Sequence, residues 1–250
     1  MGGKIADFHL YFDIKKLIFS PMLAKISVII PTLNESVNIA STLSAIPIRH
    51  DIEVIIVDGG STDNTVEITR QFSIKLIDSL PGRSEQMNRG ATVATGEILL
   101  FLHGDTRLPS NFENMVRDAI QKPGVVAGAF TLQIDDNAPS LRWVEKGVKW
   151  RSRLFQLPYG DQAIFLTKET FEKIGGFPRI PIMEDFELIQ RLKKIGKITI
   201  ISASVITSPR RWLKKGIWQT TLINQIVIIA YYLGISPDRI RDWYRQGKFR

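Results

Sequence analysis

Three polar clusters in this chain each follow a short apolar run: Thr32-Leu-Asn-Glu35 after Lys25–Pro31, Asp58-Gly-Gly-Ser-Thr-Asp63 after Asp51–Val57, and His103-Gly-Asp105 after Ile98–Leu102. An uncharged run such as Ile98–Leu102 reads as a strand buried on both faces. A carboxylate at the carboxyl end of such a strand, here Asp105, can hold a hard divalent cation, and the cation can hold a diphosphate. Taken singly, each cluster also reads as an ordinary turn, because Gly, Asp, Ser and Asn are turn residues. The recurrence of such clusters at successive strand ends argues for chemistry, since open α/β sheets bind ligands along that edge.

The elements around them supply the edge. Strands are expected over Lys25–Pro31, Asp51–Val57, Ser73–Ile77 and Ile98–Leu102. Helices between them run to about Ala45 (capped by Ser36 or Asn34), over Asn64–Phe72 and over Arg83–Thr95. Strands alternating with helices imply βαβ units, and right-handed crossovers carry the three polar ends to one side of a mostly parallel sheet. The second half changes character. One or two strands are expected over Gly124–Ile134, then a helix over Ala138–Leu157 carrying Trp143 and Trp150 among basic residues. A strand at Ala163–Leu166 and a helix over Lys168–Ile174, stopped by Gly175-Gly176, come next. The helix opened by Pro181–Glu187 has Glu184 and Asp185 in its first turn, where the helix dipole favours acids. A last strand over Lys197–Ile206 and a helix over Trp212–Leu233 complete the domain.

The chain has 250 residues, 44% of them hydrophobic, enough for one large globular domain. It has no cysteine, which excludes disulfides and cysteine-ligated metal sites and fits a reducing, cytoplasmic setting. The net charge of +8 favours anionic partners such as nucleotides or phospholipid headgroups. No apolar run reaches the length of a membrane span. The organisation expected is an N-terminal extension at 1–24, a domain at 25–235 with halves 25–110 and 111–235, and a basic tail at 236–250.

With Pro81-Gly-Arg-Ser-Glu-Gln-Met-Asn-Arg-Gly90, Phe101-Leu-His-Gly-Asp-Thr106, Leu157-Pro-Tyr-Gly-Asp-Gln162, Glu184-Asp185 and Ser208-Pro-Arg-Arg-Trp212 in this order, the chain resembles family 2 glycosyltransferases of the GT-A fold, in a small bacterial branch. The resemblance implies an α/β domain with a Rossmann-like, mostly parallel sheet flanked by helices, with acceptor-side helices towards the C-terminus. It implies a nucleotide-diphosphate sugar as donor, a UDP-sugar first among them, and a divalent cation, Mg²⁺ or Mn²⁺. Pro31, Thr32, Leu33 and Glu35 would line the nucleotide pocket with Gly59, while Asp58 accepts hydrogen bonds from base or ribose. Arg83 would pair with phosphate. The family's metal motif is Asp-x-Asp; His103 replaces its first member here, so Asp105 is the expected metal ligand, with His103 and Gly104 beside nucleotide or metal. Asp185 would be the general base of an inverting displacement, with Glu184 raising its pKa. Asp161, Gln162, Arg211 and Trp212 would lie along the sugar, diphosphate or acceptor path.

The implied acceptor is small or lipid-like. Trp143, Trp150 and their basic neighbours, together with Arg239, Arg241, Arg245, Lys248, Arg250 and Trp243, read as a membrane-facing rim touching the inner face of the cell membrane peripherally. Two other readings compete with the enzyme: a non-catalytic basic module on membrane or nucleic acid, and a nucleotidyltransferase of similar sheet architecture. The latter wants a glycine-rich phosphate loop after the first strand, and Pro31–Glu35 is not one. Nucleic acid is not an expected partner of the enzyme, and the oligomeric state is left open.

Overall fold

The computed structural model describes residues 23–246. Residues 1–22, most of the expected extension, lie outside the described residues, as do 247–250 with Lys248 and Arg250 and the side chain of Arg245. Eight strands follow in chain order: β1 (Ile26–Thr32), β2 (Ile52–Asp58), β3 (Lys75–Asp78), β4 (Ile98–Phe101), β5 (Thr106–Arg107), β6 (Val125–Ile134), β7 (Phe165–Thr167) and β8 (Lys197–Thr207). They form one sheet in the order β3-β2-β1-β4-β7-β6-β8-β5. The first four are parallel, β7 is antiparallel to both β4 and β6, and β6 and β8 pair in parallel. This is the GT-A arrangement, a curled and largely parallel sheet between helices.

The period-two alternation of a strand divides the core in two. Ile26, Val28 and Ile30 of β1 face one apolar cluster together with Ile56, Leu100 and Phe112, whereas Ile29 joins Ile55, Val57, Leu99 and Met87 on the other side. Both faces are covered, so the early strands read as continuous apolar runs rather than alternating ones.

The helices are α1 (Ile39–Ser44), α2 (Thr65–Thr69), α3 (Arg83–Val93), α4 (Phe112–Ile120), α5 (Pro139–Phe155), α6 (Lys168–Lys173), α7 (Glu184–Lys193), α8 (Arg210–Lys215), α9 (Ile217–Tyr232) and α10 (Pro237–Gln246), with a 3₁₀ turn at Gly160–Gln162. Helix α3 sits hard against the sheet at Gly90, where a Cβ would lie 2.4 Å from Cγ2 of Ile29. Three expectations need correction. Asn34 and Ser36 do not cap α1, whose N-cap is Asn38 without a side-chain bond. They instead fasten the loop after β1 to the loop after β2, as described below. The single helix expected over Trp212–Leu233 is two, because Gly216 takes a left-handed φ of 85° that breaks the ladder. The segment read as a basic tail is helical over Pro237–Gln246, and its Ile240 is fully buried with Met183, Phe186 and Val227. In that helix Arg241 pairs with Asp238 and Asp242, so its charge is locally balanced.

Candidate functional site

Parallel pairing puts Thr32 beside Asp58 at the ends of β1 and β2. The Thr32 carbonyl accepts from Gly59 N (2.9 Å) and from Gln86 Nε2 (2.8 Å), and the same Gln86 amide donates to the Val57 carbonyl at 2.8 Å. Asp58 is buried and accepts four bonds: from Thr32 Oγ1 (3.1 Å) and Ser61 Oγ (2.6 Å) on one oxygen, from Gly60 N (2.9 Å) and Ser61 N (2.8 Å) on the other. Two carboxylate oxygens offer about four acceptor positions, so a ligand at Asp58 must displace a hydroxyl. Across the gap, Asn34 Oδ1 accepts from Thr62 N at 2.9 Å, Ser36 N donates to Asp63 at 3.1 Å, and Glu35 N donates to Thr65 Oγ1 at 2.8 Å. Thr65, through its own N–H and hydroxyl, and then Ser36 donate to the Asp63 carboxyl and hold it well below its usual pKa. Pro31 is half-buried at the strand end, and Leu33 stays exposed on the rim. The two loops expected to line the nucleotide pocket are therefore tied to each other.

A second cluster forms where β5 runs beside β8. Ser208 N donates to the Asp105 carbonyl (3.0 Å), which places Arg210 over the acids. Its guanidinium reaches Glu35 at 2.8 and 3.0 Å and Asp105 at 3.5 Å. Gly104 permits this approach, since a Cβ there would stand 3.1 Å from Cγ of Glu35. Burial, and then the Glu35 charge, raise the Asp105 pKa, while Arg210 opposes the rise. Two crowded carboxylates form a donor set that fits a divalent cation whose remaining positions go to phosphate oxygens and water. Among the described residues no third acid or histidine joins them in a cation-sized group.

His103, expected beside nucleotide or metal, lies next to Asp185 rather than Glu35 and Asp105. Its ring lines a small cavity of about 10 Å³ with Arg83, Phe101, Gly160, Glu184 and Asp185. That volume suits about one water and no sugar ring. Burial, then the charges of Arg83 and Arg211, push the imidazole pKa down to about 3, so it is neutral at ordinary pH. Asp185 opens α7 and is fixed by two backbone donors: Gly160 N to Oδ2 at 2.6 Å and Phe186 N to Oδ1 at 2.7 Å. Gly160 leaves no room for a side chain, because a Cβ would lie 2.9 Å from Nε2 of His103 and 3.2 Å from Oδ2 of Asp185. Glu184 is buried, with Arg83 Nε 3.4 Å from its Oε1. Burial raises its pKa, Arg83 lowers it and Asp185 raises it again. Asp161 carries the clearest unmet demand, since its Oδ1 is buried with no hydrogen-bond partner. Burial raises its pKa; Arg151 and Arg211 pull it down, and Asp185 and Asp105 add to the rise. Asp161 thus lies close enough to feel Asp185 and, less strongly, Asp105, whereas Asp58 belongs to the tied loops.

Two expected site residues lie elsewhere. Gln162 is wholly buried: its amide donates to the Phe130 carbonyl at 2.8 Å and its oxygen accepts from Tyr159 N at 3.2 Å, closing the 3₁₀ turn. Trp212 is a core residue, 5% exposed and packed in the cluster containing Leu141, Ala163 and Val205. Arg211 donates to Asn224 at 2.7 Å and lies 5.3 Å from the Tyr244 ring, so it ties α8 to α9 and α10 while its charge reaches Asp161. Sequence reading missed three contributors. Arg151 stacks 3.4 Å over the Tyr159 ring and faces Asp161. Arg210 was passed over for its neighbours. Gln86 lay inside a quoted motif, but nothing in a motif distinguishes a framework amide from a ligand-binding one.

A model of the family described as Glycosyl transferase family 2 matches residues 27–177. "Probable glycosyltransferase YdaM" of Bacillus subtilis is 27% identical over 225 residues, covering 76% of this chain and 52% of that protein. The chain thus spans about half the length of that relative. Two solved structures share the fold. S. aureus TarS 1-349 in complex with UDP-GlcNAc gives a TM-score of 0.60 at 18% identity, over 74% of this chain and 58% of that one. The mannosyltransferase PcManGT from Pyrobaculum calidifontis, in complex with GDP-Man and Mn²⁺, gives 0.62 at 20%, over 89% and 70%.

Proposed function

The chain belongs to glycosyl transferase family 2, and from that premise we propose that it moves a sugar from a nucleotide-diphosphate donor to a hydroxyl of a small or lipid-like acceptor, with inversion at the anomeric carbon. The observation that carries this reading is the meeting of Arg83, His103, Glu184 and Asp185 around one small cavity closed by Gly160, with the orphaned oxygen of Asp161 in the adjoining turn and the Glu35–Asp105 pair at the neighbouring strand end.

The nucleotide lies across the tied loops of Pro31–Glu35 and Asp58–Asp63, with Ser61 or Thr32 giving way at Asp58. A preformed loop pair lowers the ordering cost of binding. Asp105, with Glu35 beside it, would hold the divalent cation, which would draw off charge building on the leaving diphosphate. Arg210, which now pairs with Glu35 and Asp105, would be available to the diphosphate once those acids held a cation. Asp185 takes the acceptor proton, its two oxygens aimed by Gly160 and Phe186 yet each retaining a free lone pair. The freed acceptor oxygen attacks the anomeric carbon, and the bond to the diphosphate breaks. Glu184 orients Arg83 rather than acting as a base, being buried and already paired. Asp161 accepts from a sugar hydroxyl, which would satisfy its orphaned oxygen.

The test is thermal shift against UDP-, GDP- and dTDP-sugars with and without Mn²⁺, followed by nucleoside diphosphate release. A donor that raises the melting temperature, more so with Mn²⁺, is expected. If no nucleotide sugar shifts it, the donor assignment falls.

A further inference from the structure

Helix α5 is amphipathic in an unusual sense. Its inner face, Leu141, Val144, Val148 and Ser152, packs on the core at helical spacing. The opposite face should be polar, yet it carries Trp143 (66% exposed), Trp150 (61%) and Leu154 (61%). Lys146, Lys149 and Arg153 flank this stripe and are exposed. The one acid of the helix, Glu145, turns inward to accept from Ile134 N at 2.6 Å and to pair with Arg142 at 3.1 Å. The outward face is therefore apolar and purely cationic. Trp150 meets Phe155 edge-on at 5.6 Å, and the Lys146 ammonium lies 4.9 Å over the Trp143 ring.

Helix α9 packs against α5 and has no charged residue in 16 positions. Its own outward stripe includes Trp218 (66% exposed), Leu222 (61%) and Ile229 (58%). An uncharged helix in a water-soluble body is normally covered on every side. This one is too short to span a bilayer, which takes about 20 residues, and among the described residues no helix is long and apolar enough to do so.

We propose that the outward faces of α5 and α9 dock the protein peripherally on an anionic lipid bilayer. Charge complementarity selects this occupant. Indole rings favour the headgroup boundary, where an apolar body and a polar N–H are both satisfied. Interleaved Lys and Arg without an exposed acid match anionic headgroups. Both helices also form walls of the site: Arg151 of α5 faces Asp161, and Asn224 of α9 holds Arg211. Docking would thus bring the site within about one helix diameter of the lipid surface, roughly 10 Å.

The experiment is co-sedimentation with phosphatidylcholine vesicles, with and without phosphatidylglycerol, read alongside tryptophan fluorescence. The wild-type chain is expected to bind only vesicles containing the anionic lipid, with a blue shift. Lys146→Glu with Lys149→Glu should weaken partitioning by about 100-fold, and Trp143→Ser with Trp150→Ser should remove most of the binding and leave at most the part of the blue shift that Trp218 reports. Melting curves confirm that both pairs fold, and nucleotide-sugar binding is read separately, so failure of the donor assignment does not affect the outcome. Absence of binding to anionic vesicles overturns the proposal. So does sedimentation showing a stable dimer that the tryptophan variants dissociate, because the face would then cover a second copy.

Discussion

The ends of β1 and β2 and the turn beside α7 are both rich in carboxylates, yet they leave their polar groups in opposite conditions. Around Thr32 and Asp58 every named acceptor is met within the chain, and Gln86 ties the two strand ends through adjacent carbonyls. Around Gly160 and Asp185 the groups are crowded and incompletely paired: an orphaned oxygen on Asp161, a neutral half-buried imidazole at His103, and raised carboxyl pKa values at Asp161 and Glu184. The first region resembles a finished cradle, rigid before any ligand arrives. The second is held in a costly state by its surroundings, as expected where charge is to move. On the proposed reading, rigidity belongs to the paired ends of β1 and β2 and reactivity to the turn beside α7.

Four substitutions test that division. The largest effect is expected from Asp185→Asn, which should lower kcat by about 10²- to 10⁴-fold while the thermal shift by donor is unchanged. An equal loss of donor binding would place Asp185 with the cradle instead. Next, Gln86→Leu removes the donor shared by the Thr32 and Val57 carbonyls and should cost about 1–3 kcal/mol in urea unfolding, with KM for the donor rising more than kcat falls. A stability loss without any KM change would separate the cradle from binding.

The third test uses pH. An unfolded chain protonates an imidazole near 6.5, while the folded His103 does so at about 3. Between these values the unfolded state binds the extra proton, so this residue's stabilising share is complete above about 6.5 and is lost as pH falls towards 3. His103→Gln should flatten that part of the stability profile measured by urea melts at successive pH values. An unchanged slope would mean the ring titrates freely in solvent. The smallest effect belongs to Asp161→Asn. The folded carboxyl has a raised pKa, so its contribution is best in acid and declines as pH rises through the unfolded value towards the folded one. Neutralising it should stabilise the ligand-free fold slightly, by about 1 kcal/mol or less in urea melts at neutral pH, while weakening donor or acceptor binding.

Much of the parallel half was legible from the chain alone, because its signals are local. Ile98–Leu102 announced a buried strand, and the observed β4 lies within it. The strand ends also announced the polar edge that carries Asp105, whereas Asp185, in the first turn of α7, stands out only through the family resemblance. What failed had a common cause. Trp212 and Gln162 sit in motifs beside ligand-facing residues, and a motif does not say which way a side chain points. Asn34 and Ser36 had a local use as helix caps, but a partner about 27 residues away took them instead. Gly216 split a helix that apolar composition alone read as continuous.

Residue order by itself determined the alternation of strand and helix, the apolar layers and the sequence of acids along one edge, because periodicity and burial act over a few residues at a time. Which acids meet was decided only in three dimensions. Arg210 joins Glu35 to Asp105 across more than a hundred positions, and Gly160 brings its N–H to Asp185 and leaves His103 room beside it. Such contacts depend on strand pairing between distant segments, and electrostatic demand exists only once those segments share a low-dielectric space.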